Sequence, residues 1–185
     1  AILAGDCLHA LAFEVLADVA THADPFVRAE LVLDLARAAG PTGMAGGQMM
    51  DIEAEKASFD LPTITRLQAM KTGALIASSV EAGAILGKAP AEARTSLRGY
   101  ARDIGLAFQI ADDLLDYEGE EEKMGKRVGK DQSAGKETFL SLLGVDRARE
   151  QAKLLVEQAV AHLQFFGPEA DLLRDIARYT LERDR

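Results

Sequence analysis

The sequence predicts an all-α fold, a helical bundle. Long Ala/Leu-rich stretches fill the chain, Gly and Pro fall mostly between them, and alternating β-branched runs that would signal strands are hard to find. Helices are predicted at 5–22, 25–39, 42–58, 63–87, 91–117, 146–166 and 168–183. Within 146–166, Ala152, Leu155, Val156, Ala159, Val160 and Leu163 form an apolar stripe at helical spacing, so this helix is scaffold with one solvated side. The stretch KTGALIASSVEAGAILG, Lys71 to Gly87, is apolar nearly all round and rich in small residues, which predicts a central helix that its neighbours approach closely. Lys71 is notable at the head of such a segment.

At 185 residues the chain is predicted to form a single domain over 1–185, with a mobile Gly/Lys-rich loop at 118–136. Thirty acidic residues against 21 basic ones give a net charge of −9. That argues against a nonspecific nucleic-acid surface and requires local cations or metal wherever an anion is held. One cysteine, Cys7, cannot form an internal disulfide, and no window reads as a signal peptide or membrane span, so a reducing, cytoplasmic setting is expected. The chain opens within an apolar run and without Met, which is the expectation of a protein lacking an N-terminal portion.

The informative segment is QIADDLLDYEG, residues 109–119. At 100° per residue, Ile104, Ala107, Phe108, Ala111 and Leu115 gather on one side of the helix. Gln109, Asp112, Asp113 and Asp116 gather within about 100° on the other. Asp112 and Asp116 are one turn apart, where like charges repel by a few tenths of a kcal/mol, and a cation is the natural compensator. Hard oxygen donors suit Mg²⁺, with Mn²⁺ as a substitute; Mg²⁺ binds through one or two carboxylates and completes its shell with water and substrate phosphates. Downstream, Lys126, Arg127, Lys130, Asp131 and Lys136 lie in a Gly-rich stretch that could close over a phosphate bridged to those aspartates. GKET in this stretch is no P-loop: the GxxxxGK[ST] spacing fails and no strand precedes it. A second constellation lies in AGGQMMDIEAE, where Gln48, Asp51 and Glu55 share a helical face beside a Gly pair that permits close approach. His9, His22 and His162 show no ligand spacing and read as structural or surface residues.

Taken together, AILAGDCLHALAFEVL, HADPFVRAELVLDLARAAG, GMAGGQMMDIEAEK, KTGALI, GLAFQIADDLLD, GKRVGKDQSAGKETF and the final YTLERDR resemble the trans-isoprenyl diphosphate synthases, in that family's order, with bacterial farnesyl diphosphate synthases closest in character. The resemblance runs through the whole chain but corresponds to the C-terminal three-fifths or so of such an enzyme. The family's first aspartate-rich motif, the arginines after it and the residues gripping the homoallylic diphosphate are expected before Ala1, and such a fragment alone is expected to be inactive.

The resemblance implies condensation of isopentenyl diphosphate with dimethylallyl or geranyl diphosphate, with release of inorganic diphosphate. It implies an isoprenoid-synthase-type helical bundle around a central apolar cavity, and Asp112 as a direct Mg²⁺ ligand with Asp116 and Asp113 acting through coordinated waters or from behind the direct ligands. Lys71, Lys126 and Lys136 would pair with diphosphate oxygens, and Thr72 and Gln109 would stand beside the reacting carbons. Gln48, Asp51 and Asp131 would support the site, and a homodimer is implied. Competing readings are a non-catalytic partner subunit, an Mg²⁺-dependent nucleotide phosphohydrolase and a terpene cyclase. The Lys-rich loop after DDLLD favours chain extension over cyclisation, and no base- or water-positioning group for a hydrolase is evident.

Overall fold

A computed structural model of the chain describes residues 1–124 and 137–183. Those residues form helices and no strands, as the sequence predicts: α1 (Ile2–Ala17), α2 (Pro25–Ala39), α3 (Met44–Glu53), α4 (Leu61–Gln68), α5 (Ala74–Leu86), α6 (Ala91–Met124), α7 (Phe139–Leu143), α8 (Val145–His162) and α9 (Asp171–Glu182). A π-helical turn, Ala69–Gly73, joins α4 to α5, and a 3₁₀ turn, Pro168–Ala170, leads into α9. Among the described residues no helix is long and apolar enough to cross a membrane.

Local chemistry sets several boundaries. Asp24 caps α2 by accepting from Phe26 N–H at 3.0 Å, with Pro25 pre-set for the first turn. Asp60 caps α4 in the same way, accepting from Thr63 N–H at 3.0 Å. The predicted 42–58 helix is shorter in fact, since α3 stops at Glu53 and the chain turns before the Asp60 cap. Residues 118–124 of the predicted 118–136 loop are helical. Helix α6 continues to Met124, because its Glu- and Lys-rich end is helix-favouring and one Gly119 costs only about 1 kcal/mol. An ion pair from Arg149 to Glu118, 2.5 Å, ties this end of α6 to α8. Short α7 was absent from the sequence reading; Thr138 and Ser141 form a reciprocal capping box around it.

The core lies where α6 meets α8. Leu97, Tyr100, Ile104, Ala107, Ile110 and Leu114 of α6 are buried against Ala148, Ala152, Leu155, Val156 and Ala159 of α8. The expected stripe on α8 is thus its buried face, Val160 at the edge. The helices run antiparallel: His162 Nε2 lies 3.1 Å from Asp103 at one end, and Arg149 meets Glu118 at the other. Asp103 is buried and also accepts from Arg102 Nε at 2.9 Å, so His162 is structural, as read. Helix α9 runs parallel to α6, held by Tyr100 O–H donating to Leu173 C=O at 2.7 Å.

Helices α2 and α5 also pair antiparallel, through Lys88–Asp24 at 2.9 Å and Ser78–Asp34 at 2.5 Å. Between them Glu81 is buried yet paired with Arg94 and Arg98. Burial pushes its carboxyl up, but Arg98 and Arg94 outweigh this and hold it below the ordinary glutamate range. By contrast α1 has no buried residue, and Ile2, Leu3, Leu8 and Val15 stand exposed.

Candidate active site

The candidate site is built on three backbone segments: the π turn, α3 and the middle of α6. A π turn fits one extra residue into a helix and is found often at functional sites. Here it contains Lys71 and Thr72, so the predicted continuous 63–87 helix holds its course but is wound wider where those side chains leave it.

Two glycines let the flanking helices press on that turn. A Cβ on Gly47 of α3 would lie 2.3 Å from Lys71 N and 2.6 Å from Lys71 Cα, so only glycine fits there. A Cβ on Gly105 of α6 would lie 3.3 Å from Gly73 Cα. One turn beyond Gly47, Asp51 accepts from Lys71 Nζ at 2.9 Å. The ammonium is thereby aimed but not enclosed, with its side chain 35% exposed. Gln48, beside Gly47 on the same helix, is half-buried. Gly47→Ala should therefore force α3 off the π turn and misdirect Lys71. Overpacking of this kind costs about 1–3 kcal/mol. Calorimetry should show a melting temperature lower by several degrees, together with lost turnover; an unshifted transition would mean that the two backbones can separate at no cost.

Contact at Gly105 orients α6. Counting 100° per residue from it, Gln109, Asp112 and Asp116 all fall within about 40° of the same direction, whereas Asp113 leans about 80° away. Gln109 is buried and its Nε2 lies 3.4 Å from an Asp112 oxygen. The other Asp112 oxygen is ion-paired with Arg183, next to the end of α9. Asp116 is exposed. Asp113 turns instead to α7, where it accepts from Phe139 N–H at 2.9 Å. Gly105 of α6 thus packs on the π turn at Gly73, with Gln109, Asp112 and Asp116 following along that side of α6, whereas Asp113 pairs with α7. Among the described residues, no three His, Cys, Asp or Glu side chains converge as a self-sufficient metal cage. Gly47 belongs to the Gly pair that the sequence marks as permitting close approach, whereas Arg183 and Gly105 were not singled out in the sequence. Their signal lies in partners distant along the chain, 71 residues away for the Arg183–Asp112 pair.

Burial pushes the Asp113 carboxyl up to about 6; the Phe139 N–H offsets part of this, and Asp116 and Asp112 add to it. A raised carboxyl favours the folded state only while protonated. Its contribution is complete below about pH 4, the ordinary aspartate range, and is lost as pH rises through about 6. In metal-free protein the melting temperature should fall over this interval, and Asp113→Asn should flatten the fall. An identical pH slope in wild type and variant would remove Asp113 as its cause.

An open apolar groove begins one turn beyond Lys71, at Leu75, and runs between α1, α2 and α5 along Leu8, Leu11, Val15, Leu31 and Leu35, with a volume of about 480 Å³. Lys71, paired with Asp51, thus stands one helical turn from an apolar trough. The polyprenyl synthetase family model matches residues 1–165.

The chain belongs to that family.

The farnesyl diphosphate synthase of Geobacillus stearothermophilus is 41% identical over 185 residues, which are 100% of this chain and 62% of that protein. An FPP/GFPP synthase from Zymomonas mobilis, solved in apo form, superposes with a TM-score of 0.87 at 56% identity, over 97% of this chain and 60% of that one. The geranyltransferase of Helicobacter pylori, complexed with magnesium and isoprenyl diphosphate, gives 0.77 at 30% identity, over 98% and 59%. This polyprenyl synthetase chain thus spans about 60% of the relatives it matches. Its Lys126, Asp131 and Lys136 lie outside the described residues.

Proposed function

We propose that this chain carries the leaving-group half of a prenyl-chain-elongating transferase. The enzyme condenses isopentenyl diphosphate with dimethylallyl or geranyl diphosphate, giving farnesyl or a related trans-prenyl diphosphate and inorganic diphosphate. The observation that supports this reading is the close approach of α6 to the π turn at Gly105 and Gly73, with the Gln109, Asp112 and Asp116 side of α6 following from Gly105 and an apolar groove beginning at Leu75. A farnesyl diphosphate synthase among the relatives, and a related geranyltransferase structure described with magnesium and isoprenyl diphosphate, support it.

Rupture of an allylic C–O bond leaves a carbocation and a multiply charged anion, so the protein's task is to hold the anion and shelter the cation. Lys71, steadied by Asp51, offers its ammonium to diphosphate oxygens, with Lys126 and Lys136 as further cations and Gln48 and Asp131 in support. Thr72 and Gln109 present oxygen dipoles that lower the energy of the cation without capturing it. Leu75 and the largely apolar groove beyond would receive the hydrocarbon tail. The residues fit Mg²⁺: Asp112 and Asp116 are hard oxygen donors one turn apart on one face, and Asp112 already draws a cationic partner. Asp112 and Asp116 would hold the ion, with Asp113 acting through water. Mg²⁺, when bound, supplies charge neutralisation for the leaving diphosphate.

The proposal includes a single helical domain, a cytoplasmic setting and a homodimer, which light scattering at the relatives' full length checks. The deciding experiment is product analysis at the relatives' full length. Isopentenyl and geranyl diphosphates with Mg²⁺ should give a prenyl diphosphate extended by one isoprene unit. Cyclic hydrocarbon, or inorganic phosphate from nucleotides, would reassign the chemistry.

A further inference from the structure

Arg183 stands just beyond α9, and its side chain is only 12% exposed. Its Nη2 donates to Asp112 and to Phe108 C=O, the latter at 3.3 Å, while the guanidinium lies 3.9 Å from the centre of the Phe108 ring. Phe108 and Asp112 are one turn apart on α6, so ring, carbonyl and carboxylate form one receptor for a planar cation. Its fit is incomplete: among the described residues, Arg183 Nε is buried without a hydrogen-bond partner. The arginine is therefore held chiefly by Asp112 and the ring rather than by a satisfied network on all sides.

From this we infer that Arg183 is the resident counter-cation of Asp112, occupying the carboxylate before a metal arrives and competing with the metal for it. The inference rests on Asp112 as a metal ligand, the reading proposed above. A divalent ion and a guanidinium repel each other at contact, and Mg²⁺ demands carboxylate oxygens at about 2.0–2.1 Å in near-octahedral order. Loading the ion accordingly requires Arg183 to leave Asp112, which draws the C-terminal turn off Phe108. The pair neutralises Asp112 and sets a threshold on metal affinity. It also makes the end of α9 report on whether the site is filled.

The test is Mn²⁺ binding to the full-length protein, read by electron paramagnetic resonance of the unbound ion. Arg183→Gln should bind Mn²⁺ about tenfold tighter than wild type, and Arg183→Lys, which keeps the charge but loses the planar fork, should fall between them. Equal or weaker binding by both variants overturns the inference. An independent readout needs no variant: Mg²⁺ should accelerate tryptic cleavage after Arg183 in the wild-type protein, and a rate indifferent to Mg²⁺ also overturns it. Asp112→Asn separates the two levels. If it loses Mn²⁺ while the Arg183 variants bind as wild type, the metal ligand stands and the competition falls; if it binds Mn²⁺ like wild type, both fall.

Discussion

Replacing Asp112 with alanine in the full-length enzyme is expected to lower kcat by about a thousandfold, the largest effect of any single change in the described residues. Charge stabilisation by a bound metal is worth several kcal/mol at the transition state, and about 4 kcal/mol corresponds to three decades of rate. The variant also strands Arg183, whose side chain is mostly buried and whose ion pair is with Asp112. Part of the loss could then come from a displaced α9 rather than from missing metal. Asp112→Asn separates the causes, since it keeps shape and hydrogen-bonding capacity while removing the charge. Circular dichroism and the melting temperature should remain near wild type for asparagine, with turnover still down by two decades or more. Asparagine turnover close to wild type would remove Asp112 from the chemistry.

Lys71→Ala is expected to be the second most severe change, a fall of about 10- to 100-fold in kcat/KM. A hydrogen bond to a charged group contributes about 1.5–3 kcal/mol, and Lys71 is one of several cations proposed around the diphosphate. The loss should appear for every allylic substrate alike, because the ammonium addresses the common diphosphate and not the hydrocarbon. Lys71→Arg should recover little, since the π turn and Asp51 aim a single ammonium along one direction. A milder loss in Asp51→Asn would mark Asp51 as the residue that positions Lys71. Kinetics in Lys71→Ala indistinguishable from wild type would take the π turn out of the site.

Which parts of this arrangement could be read from the sequence follows from how far each feature depends on distant residues. Helical class and the α6 carboxylate face are local: Gln109, Asp112 and Asp116 share a side of α6 by the pitch of the helix alone. The wide turn at Lys71 is not local. It is wedged where Gly47 and Gly105 let two other backbones come close; the Gly46–Gly47 pair signals a close approach but not its partner, and Gly105 carries no signal of its own. Asp113 shows the opposite case. Periodicity placed it with Asp112 and Asp116, but its lean of about 80° puts it against Phe139 of α7, a five-residue helix with too little periodicity to predict. Arg183 went unread because a lone arginine near a chain end carries no pattern; its role depends on α9 lying parallel to α6. The extension of α6 to Met124 was missed because Gly119 and a run of like charges suggested a loop, while the Arg149–Glu118 pair that anchors this end is tertiary.

The most direct test of a diphosphate held jointly from the π turn and from α6 is a double-mutant cycle on Lys71 and Asp112, read as the affinity of the full-length protein for inorganic diphosphate in the presence of Mg²⁺. The Lys71→Ala and Asp112→Ala losses should be non-additive by about 1 kcal/mol or more, as for groups acting on one ligand. Losses that add to within about 0.5 kcal/mol would place the two residues at independent sites and contradict the arrangement.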